Sequence, residues 1–348
     1  MGGEKKVVQE VSGWLRVHQD GSVDRTCTGP PQVKLLTQLV PEHARFIDGV
    51  ATRDLAVDDN GDGLRVRIYI PEQAHTGTLV GGGSRLPIIL HFHGGGFCIS
   101  RPDMYMYYHF YARLARSLPA LCVSVFLRHA PENRLPAASD DAHNALLWLR
   151  SVATRRAREP WLEQLGDFQR VFLIGDSSGA NLVHEVAARV GRGPDTNPLR
   201  LSGGIPIHPG FVRPEGSSSE REEVDSPFLT QEMVDKFLAM ALPEGSTKDH
   251  PITCPMGAAA PPLGGLKLPP FLVCVAEKDK IKDTEMEYYE AMKKAGKEVE
   301  LLISKGMGHS FYLNKLAVDE DPWTAAETAR LLDRIAVFVN NNDLTQTT

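Results

Sequence analysis

The chain predicts an α/β fold, a mostly parallel sheet with helices on both faces. Three observations carry this. From about residue 64 onward, short apolar runs of strand length alternate with stretches of helical spacing. One of these runs, Val171-Phe172-Leu173-Ile174, leads into Gly175-Asp176-Ser177-Ser178-Gly179 and then a helix-like stretch. Another, Pro87 to Phe92, ends in His93-Gly94-Gly95-Gly96.

Taken in order, residues 1–60 are mixed. Val11 to Val17 and Val23 to Arg25, around Gln19-Asp20-Gly21, suit a short hairpin or a flexible arm. Leu64 to Ile70 alternates apolar and polar as a half-buried strand does. Gln73 to Arg85, with Gly81-Gly82-Gly83, reads as a surface loop. Then come a buried strand at Ile88 to Phe92, a helix at Tyr105 to Leu118 and a strand at Leu121 to Phe126. A helix follows at Ser139 to Arg156, with Asp140-Asp141 near its start, where the helix dipole favours carboxylates. Val171 to Ile174 is the strand before Ser177, and Ala180 to Val190 the helix behind it. Beyond lie strands at Leu201 to Ile207, Phe271 to Ala276 and Val299 to Ile303, and helices at Thr284 to Ala295 and Pro322 to Asn340.

Between Phe211 and Leu268 the alternation breaks into a Pro-, Gly- and Ser-rich stretch with one amphipathic helix, Gln231 to Ala241. Such an insertion is expected over the carboxyl edge of the sheet, where open α/β folds bind ligands. The expected organisation is one domain over 1–348, with an arm at about 1–60 and the insertion at about 211–268.

Composition narrows the class. Apolar residues at 42% and charged ones at 24% suit a globular protein, and a net charge of −6 disfavours a nucleic-acid partner. No run reaches the roughly 18 apolar residues a membrane span needs. Met1-Gly2-Gly3-Glu4-Lys5-Lys6 has no apolar stretch of the secretory kind, and Lys6 stands where myristoylation of Gly2 wants Ser or Thr. Cys27, Cys98, Cys122, Cys254 and Cys274 are odd in number, scattered and without C-x-x-C pairs, so reduced thiols and a cytoplasmic location are expected. Zinc-ligand spacing is absent, and the reading calls for no metal or cofactor.

The chemistry follows from the two glycine-bracketed motifs. A strand, G-x-S-x-G, helix order forces the serine onto a tight turn that projects its hydroxyl from the top of the sheet. Ser177 is therefore the expected nucleophile, and it needs a base oriented by a carboxylate. Of the downstream histidines, His184 lies on the helix behind Ser177 and faces away. His208 and His250 read as structural or pocket-lining. His309, in the loop Gly306-Met307-Gly308-His309-Ser310-Phe311 after a strand, is the expected base. Asp279 sits best to orient it, with Glu277 as the alternative and Asp283 read as a cap of the next helix. The oxyanion donors expected from geometry are the backbone N–H groups of Gly95, Gly96 and Ser178. His93 is expected to brace the loop rather than move protons. Tyr105 to Tyr108 suit either pocket lining or packing, the Met233, Phe237, Met240 stripe suits core, and Arg221-Glu222-Glu223 a solvated loop.

These residues resemble the plant carboxylesterase family, in the hormone-sensitive-lipase-like branch of the α/β-hydrolases. The likeness includes Val11-Ser12-Gly13-Trp14-Leu15-Arg16-Val17 with Asp20-Gly21-Ser22-Val23-Asp24-Arg25, His93-Gly94-Gly95-Gly96-Phe97 and Gly175-Asp176-Ser177-Ser178-Gly179. It extends to Leu242-Pro243-Glu244-Gly245, Asp249-His250-Pro251 and Gly308-His309-Ser310-Phe311, and so over nearly the whole chain. Two segments depart from the family: Leu127-Arg128-His129-Ala130-Pro131-Glu132, and Ala180 where a second glycine is usual. The resemblance implies an α/β-hydrolase fold, a cap formed by arm and insertion, and hydrolysis of small-molecule carboxylic esters by Ser177, Asp279 and His309. Gibberellin receptors, which are similar but lack the histidine, imply binding instead of turnover, and hydroxyisoflavanone dehydratases imply a lyase. His309 favours the hydrolase.

Overall fold

Alternation along the central strands divides their side chains between two faces. Ile88, Leu90 and Phe92 fall in one buried cluster and Ile89 in the other; Val171 and Leu173 oppose Phe172 and Ile174 in the same way. A strand apolar on both faces is stable only between two layers, so this pattern forces helices onto each side. The computed structural model describes residues 5–57, 63–76, 85–193, 196–221 and 229–342. The sequence readings of Gly81-Gly82-Gly83 and of Glu222-Glu223 fall outside them.

Three short strands form a small antiparallel sheet at the start: β1 (Val7–Val11), β2 (Leu15–His18) and β3 (Val23–Asp24). The large sheet holds β4 (Val50–Ala56), β5 (Arg65–Pro71), β6 (Leu86–Phe92), β7 (Leu121–Phe126), β8 (Gly166–Asp176), β9 (Leu201–Ile207), β10 (Phe271–Ala276) and β11 (Val299–Ser304). Their spatial order is β11-β10-β9-β8-β6-β7-β5-β4. All pairs from β11 to β7 are parallel, whereas β5 pairs antiparallel with both β7 and β4. Helices Ala137–Ala153, Ser178–Arg192 and Lys282–Lys294 pack on one face through Leu146, Val183 and Tyr288. Helices Tyr105–Ser117 and Pro322–Asn341 pack on the other through Phe110, Leu114, Ile335 and Phe338.

The fold class is the one expected, with differences in detail. Residues 5–57 are more ordered than their composition suggests, holding β1 to β4 and a helix at Pro31–Leu36. β4 escapes recognition because half of VATRDLA is left partly exposed at the sheet edge, which blurs alternation. β8 begins five residues before Val171, across a register shift against β6. Short helices at Pro160–Leu165 and Lys315–Glu320 are too brief for a periodic signal. No helix among the described residues is long and apolar enough to cross a membrane.

The small sheet and the insertion helix meet over the carboxyl ends of the parallel strands. Lys236, on the helix Gln231–Ala241, donates to the Glu10 carbonyl at 2.6 Å. Arg25 donates to the carbonyls of Cys98 and Ala130 and to both Glu132 carboxylate oxygens, fastening the arm beside the glycine loop. The departing segment around Glu132 is thus packed by the arm, and Arg128 pairs with buried Asp141 at 2.7 Å.

Candidate active site

Strand β8 runs directly into the helix Ser178–Arg192 with Ser177 alone between them. Its φ of 51° and ψ of −125° lie where a side-chain-bearing residue costs about 1–3 kcal/mol, so the surroundings must hold it there. They do so by hydrogen bonds: Ser177 N–H donates to Ile207 O at 3.0 Å and its carbonyl accepts from Gly210 N–H at 3.0 Å. The Ser177 hydroxyl caps no helix amide.

The glycine loop after β6 lies against this turn. Gly95 and Gly96 have φ of 99° and 60°, and a Cβ on Gly96 would sit 2.5 Å from the Phe237 ring. Gly94 N–H donates to Asp176 Oδ1 and to the Tyr107 hydroxyl, which itself donates to Asp176 Oδ2 at 3.0 Å. Ser178 Oγ accepts from Phe97 N–H at 3.1 Å, joining the two motifs. The backbone N–H groups of Gly95, Gly96 and Ser178 are left without a hydrogen-bond partner among the described residues. His93 bonds locally, its Nδ1–H donating to Gly94 O at 2.9 Å, and burial pushes the ring down to about 4. A neutral buried ring of this kind braces its loop, as expected.

On the far side, His309 Nδ1 and Asp279 Oδ2 are 2.6 Å apart, both buried. A carboxylate only accepts, so Nδ1 carries the proton and Nε2 keeps a free lone pair. Burial alone would raise the Asp279 carboxyl. The His309 imidazole outweighs it, with His208 and the Ile281 N–H, and holds the group below its usual range. Glu277 instead accepts from Gly306 N–H at 2.8 Å. Asp283 accepts from Ser219 N–H, and Ile281 is the cap of the helix Lys282–Lys294, so the reading of Asp283 as that cap is corrected. Ser219 reaches the carboxylate from another segment, which spacing along the chain does not reveal.

Ser177, Ser178, Gly95, Gly96 and His309 all line one cavity of about 80 Å³. Its walls are mostly apolar, with Trp14 from the arm, Met106 from the helix Tyr105–Ser117, Met233 and Phe237 from the insertion, Ile281 and Leu313, and Asp176 is the acid on the lining. Among the described residues the lining includes no Lys or Arg. Asp279 sits behind His309 rather than on the wall. Of the Tyr105 to Tyr108 segment only Met106 and Tyr107 reach the cavity. The Met233, Phe237, Met240 stripe divides, with Met240 remaining in the core. His184 is turned away and bonded to the Tyr288 hydroxyl at 2.8 Å, and His250 is likewise remote from the cavity.

His208 is the residue whose part was least visible in the sequence. At the end of β9, with φ of 46°, its Nδ1 accepts from Ser310 N–H at 3.0 Å and steadies the backbone next to His309. Burial pushes it down to about 4, so it stays neutral with its proton on Nε2. The only clue was its place at the carboxyl end of a strand. Donor atoms of His208, Asp279 and His309 lie within 4.8 Å of one another. Each already makes a hydrogen bond within the protein, His309 with Asp279 and His208 with Ser310 N–H.

Comparison with known proteins agrees with this architecture. The family model for the alpha/beta hydrolase fold matches residues 89–313. Probable carboxylesterase 6 of Arabidopsis thaliana is 33% identical over 339 residues, covering 97% of this chain and 93% of the relative. A gibberellin receptor of the same plant is 35% identical over 355 residues, covering 97% and 96%. The solved structure of a bacterial heroin esterase matches with a TM-score of 0.66 at 25% identity, covering 84% of this chain and 85% of that one. The chain belongs to the α/β-hydrolase fold family. Within it, the chain belongs to the plant carboxylesterase family.

Proposed function

We propose that the chain hydrolyses small, uncharged carboxylic esters through an acyl-enzyme on Ser177, with His309 as base and Asp279 as its orienting acid. The observation that carries this is the 2.6 Å Asp279–His309 hydrogen bond, with His309 on the same cavity wall as the strained Ser177 turn. Ser177 Oγ attacks the ester carbonyl and its proton passes to His309 Nε2. Negative charge develops on the carbonyl oxygen, where the unpaired N–H groups of Gly95, Gly96 and Ser178 receive it. Collapse expels the alcohol, which takes the proton from His309. Water then repeats the sequence on the acyl-serine, releasing the acid and freeing Ser177.

The cavity supports the substrate class. A dry apolar cavity of about 150 Å³ holds benzene, so about 80 Å³ suits a short acyl group. Without Lys or Arg on the wall, an anionic acyl group would lose its hydration uncompensated. The same absence disfavours the receptor-like reading, in which a small acid is bound and kept. Elimination needs no attacking oxygen, so the strained Ser177 turn on the cavity wall favours hydrolysis.

Replacing Ser177 by Ala is the direct test. Turnover of a short-chain p-nitrophenyl ester should fall by on the order of 10⁴–10⁶, with the thermal melt unchanged. Equal turnover by a folded Ser177→Ala protein would remove the assignment. Negligible turnover by the wild type, with tight binding of a small acid, would turn it to the receptor reading. We further propose a single domain over 1–348, with its arm and its 211–268 insertion forming the cap. The absence of disulfides among the described residues supports a cytoplasmic setting.

A further inference from the structure

Glu285 lies on the buried side of the helix Lys282–Lys294, whose N-cap, Ile281, follows closely after Asp279. It is 0% exposed, and neither carboxyl oxygen has a hydrogen-bond donor among the described residues. Backbone geometry brings it to Asp279: Asp279 Oδ1 accepts from Ile281 N–H at 3.2 Å and Glu285 N–H donates to Ile281 O at 3.1 Å, so both buried carboxyls are tied to the Ile281 residue and lie within reach of each other's charge. Two carboxylates are acceptors only and cannot bond each other. One proton between them converts the contact into an O–H···O⁻ bond, as in paired acids sharing a site.

Of the two, Asp279 is the one held ionised, because it faces the imidazole of His309 and, behind it, His208. Glu285 faces the other way. Around it are Cys274 of β10 and, on its own helix, Lys282, whose attraction burial and Asp279 together outweigh. An ionised Glu285 would be a buried charge with no donor among the described residues, which is strongly unfavourable.

We propose that Glu285 is a positioning residue: a neutral acid whose proton is donated to Asp279, fixing that carboxylate behind His309 and drawing off part of its charge. The inference rests on the triad reading given above. It adds a fourth member that touches neither substrate nor serine. Asp279 then has a different partner for each function, His309 for the reaction and Glu285 for orientation.

Two variants and one spectrum test it. Glu285→Gln keeps a donor at Asp279, whereas Glu285→Met keeps the length and removes the donor. With the donor gone, Asp279 presents more of its charge to the imidazolium. The acid limb of the kcat/KM profile should then move to higher pH by about one unit in Glu285→Met, about a tenfold loss on the acid side. In Glu285→Gln the limb should stay where the wild type has it. The infrared difference between wild type and Glu285→Gln at pH 8 should contain a carboxylic-acid carbonyl band, which a carboxylate lacks. A limb shifted to lower pH in Glu285→Gln, an unmoved limb in Glu285→Met, or no acid band would each overturn the proposal. If the methionine variant does not fold, the glutamine variant and the band decide alone. Wild type without Ser177-dependent turnover but with the band would sink the triad reading and leave the protonated Glu285 standing.

Discussion

Glu277 and Asp279 follow the same strand two residues apart, and their surroundings separate them. Glu277 takes the Gly306 amide and holds the loop that carries His309; Asp279 takes the imidazole itself. Asp279→Asn keeps the shape but offers a donor where an acceptor is needed, favouring the wrong tautomer of His309. On the proposed triad kcat should fall by on the order of 10⁴ while KM changes little, read from steady-state kinetics. A drop below tenfold would mean that another carboxylate orients the ring. Sequence position favoured Asp279 over Glu277, and Asp279 is the one of the two bonded to His309.

At the scale of elements, the site depends on a close approach between the glycine loop and the insertion helix Gln231–Ala241. The helix is placed by Thr230, which caps it through Met233 N–H, and by Lys236, which ties it to the arm. Phe237 closes over Gly96, leaving no room for a Cβ on that residue. Removing the ring enlarges the cavity without touching a polar group. Phe237→Ala should therefore raise kcat/KM for longer p-nitrophenyl acyl esters relative to short ones by about tenfold, the worth of one or two buried methylenes. A panel of acyl lengths measures this, and an unchanged preference would place the acyl group elsewhere. The cost in stability is about 3–5 kcal/mol, so the comparison belongs well below the melting temperature.

At the scale of the whole molecule, the buried histidines set a limit in acid. Burial pushes His93, His184 and His208 down to about 4 and His129 to about 3. Their folded values lie below the unfolded value of 6.5, so the unfolded chain binds more protons between pH 6.5 and about 4. Stability is then present above pH 6.5 and lost as pH falls through that window. The urea midpoint should drop steeply from pH 7 to 5, with several protons taken up on unfolding. A flat midpoint across that range would show that these rings are charged in the native state.

Much of this protein was legible in its residues because the relevant physics is local. Period-2 alternation, helical spacing and the two glycine-bracketed motifs depend on neighbours along the chain, and they located the core strands, Ser177 and the loop of Gly95 and Gly96. The partial misses share one cause. β4, the role of His208, the turn of Met233 and Phe237 into the cavity, and the burial of Glu285 against Asp279 are contacts between segments far apart in sequence or on opposite sides of a loop. A side chain's donor, its dielectric surroundings and the face it presents are properties of that juxtaposition. Order along the chain therefore determined which groups were available, and packing determined which of them meet, which stay neutral and which carry charge.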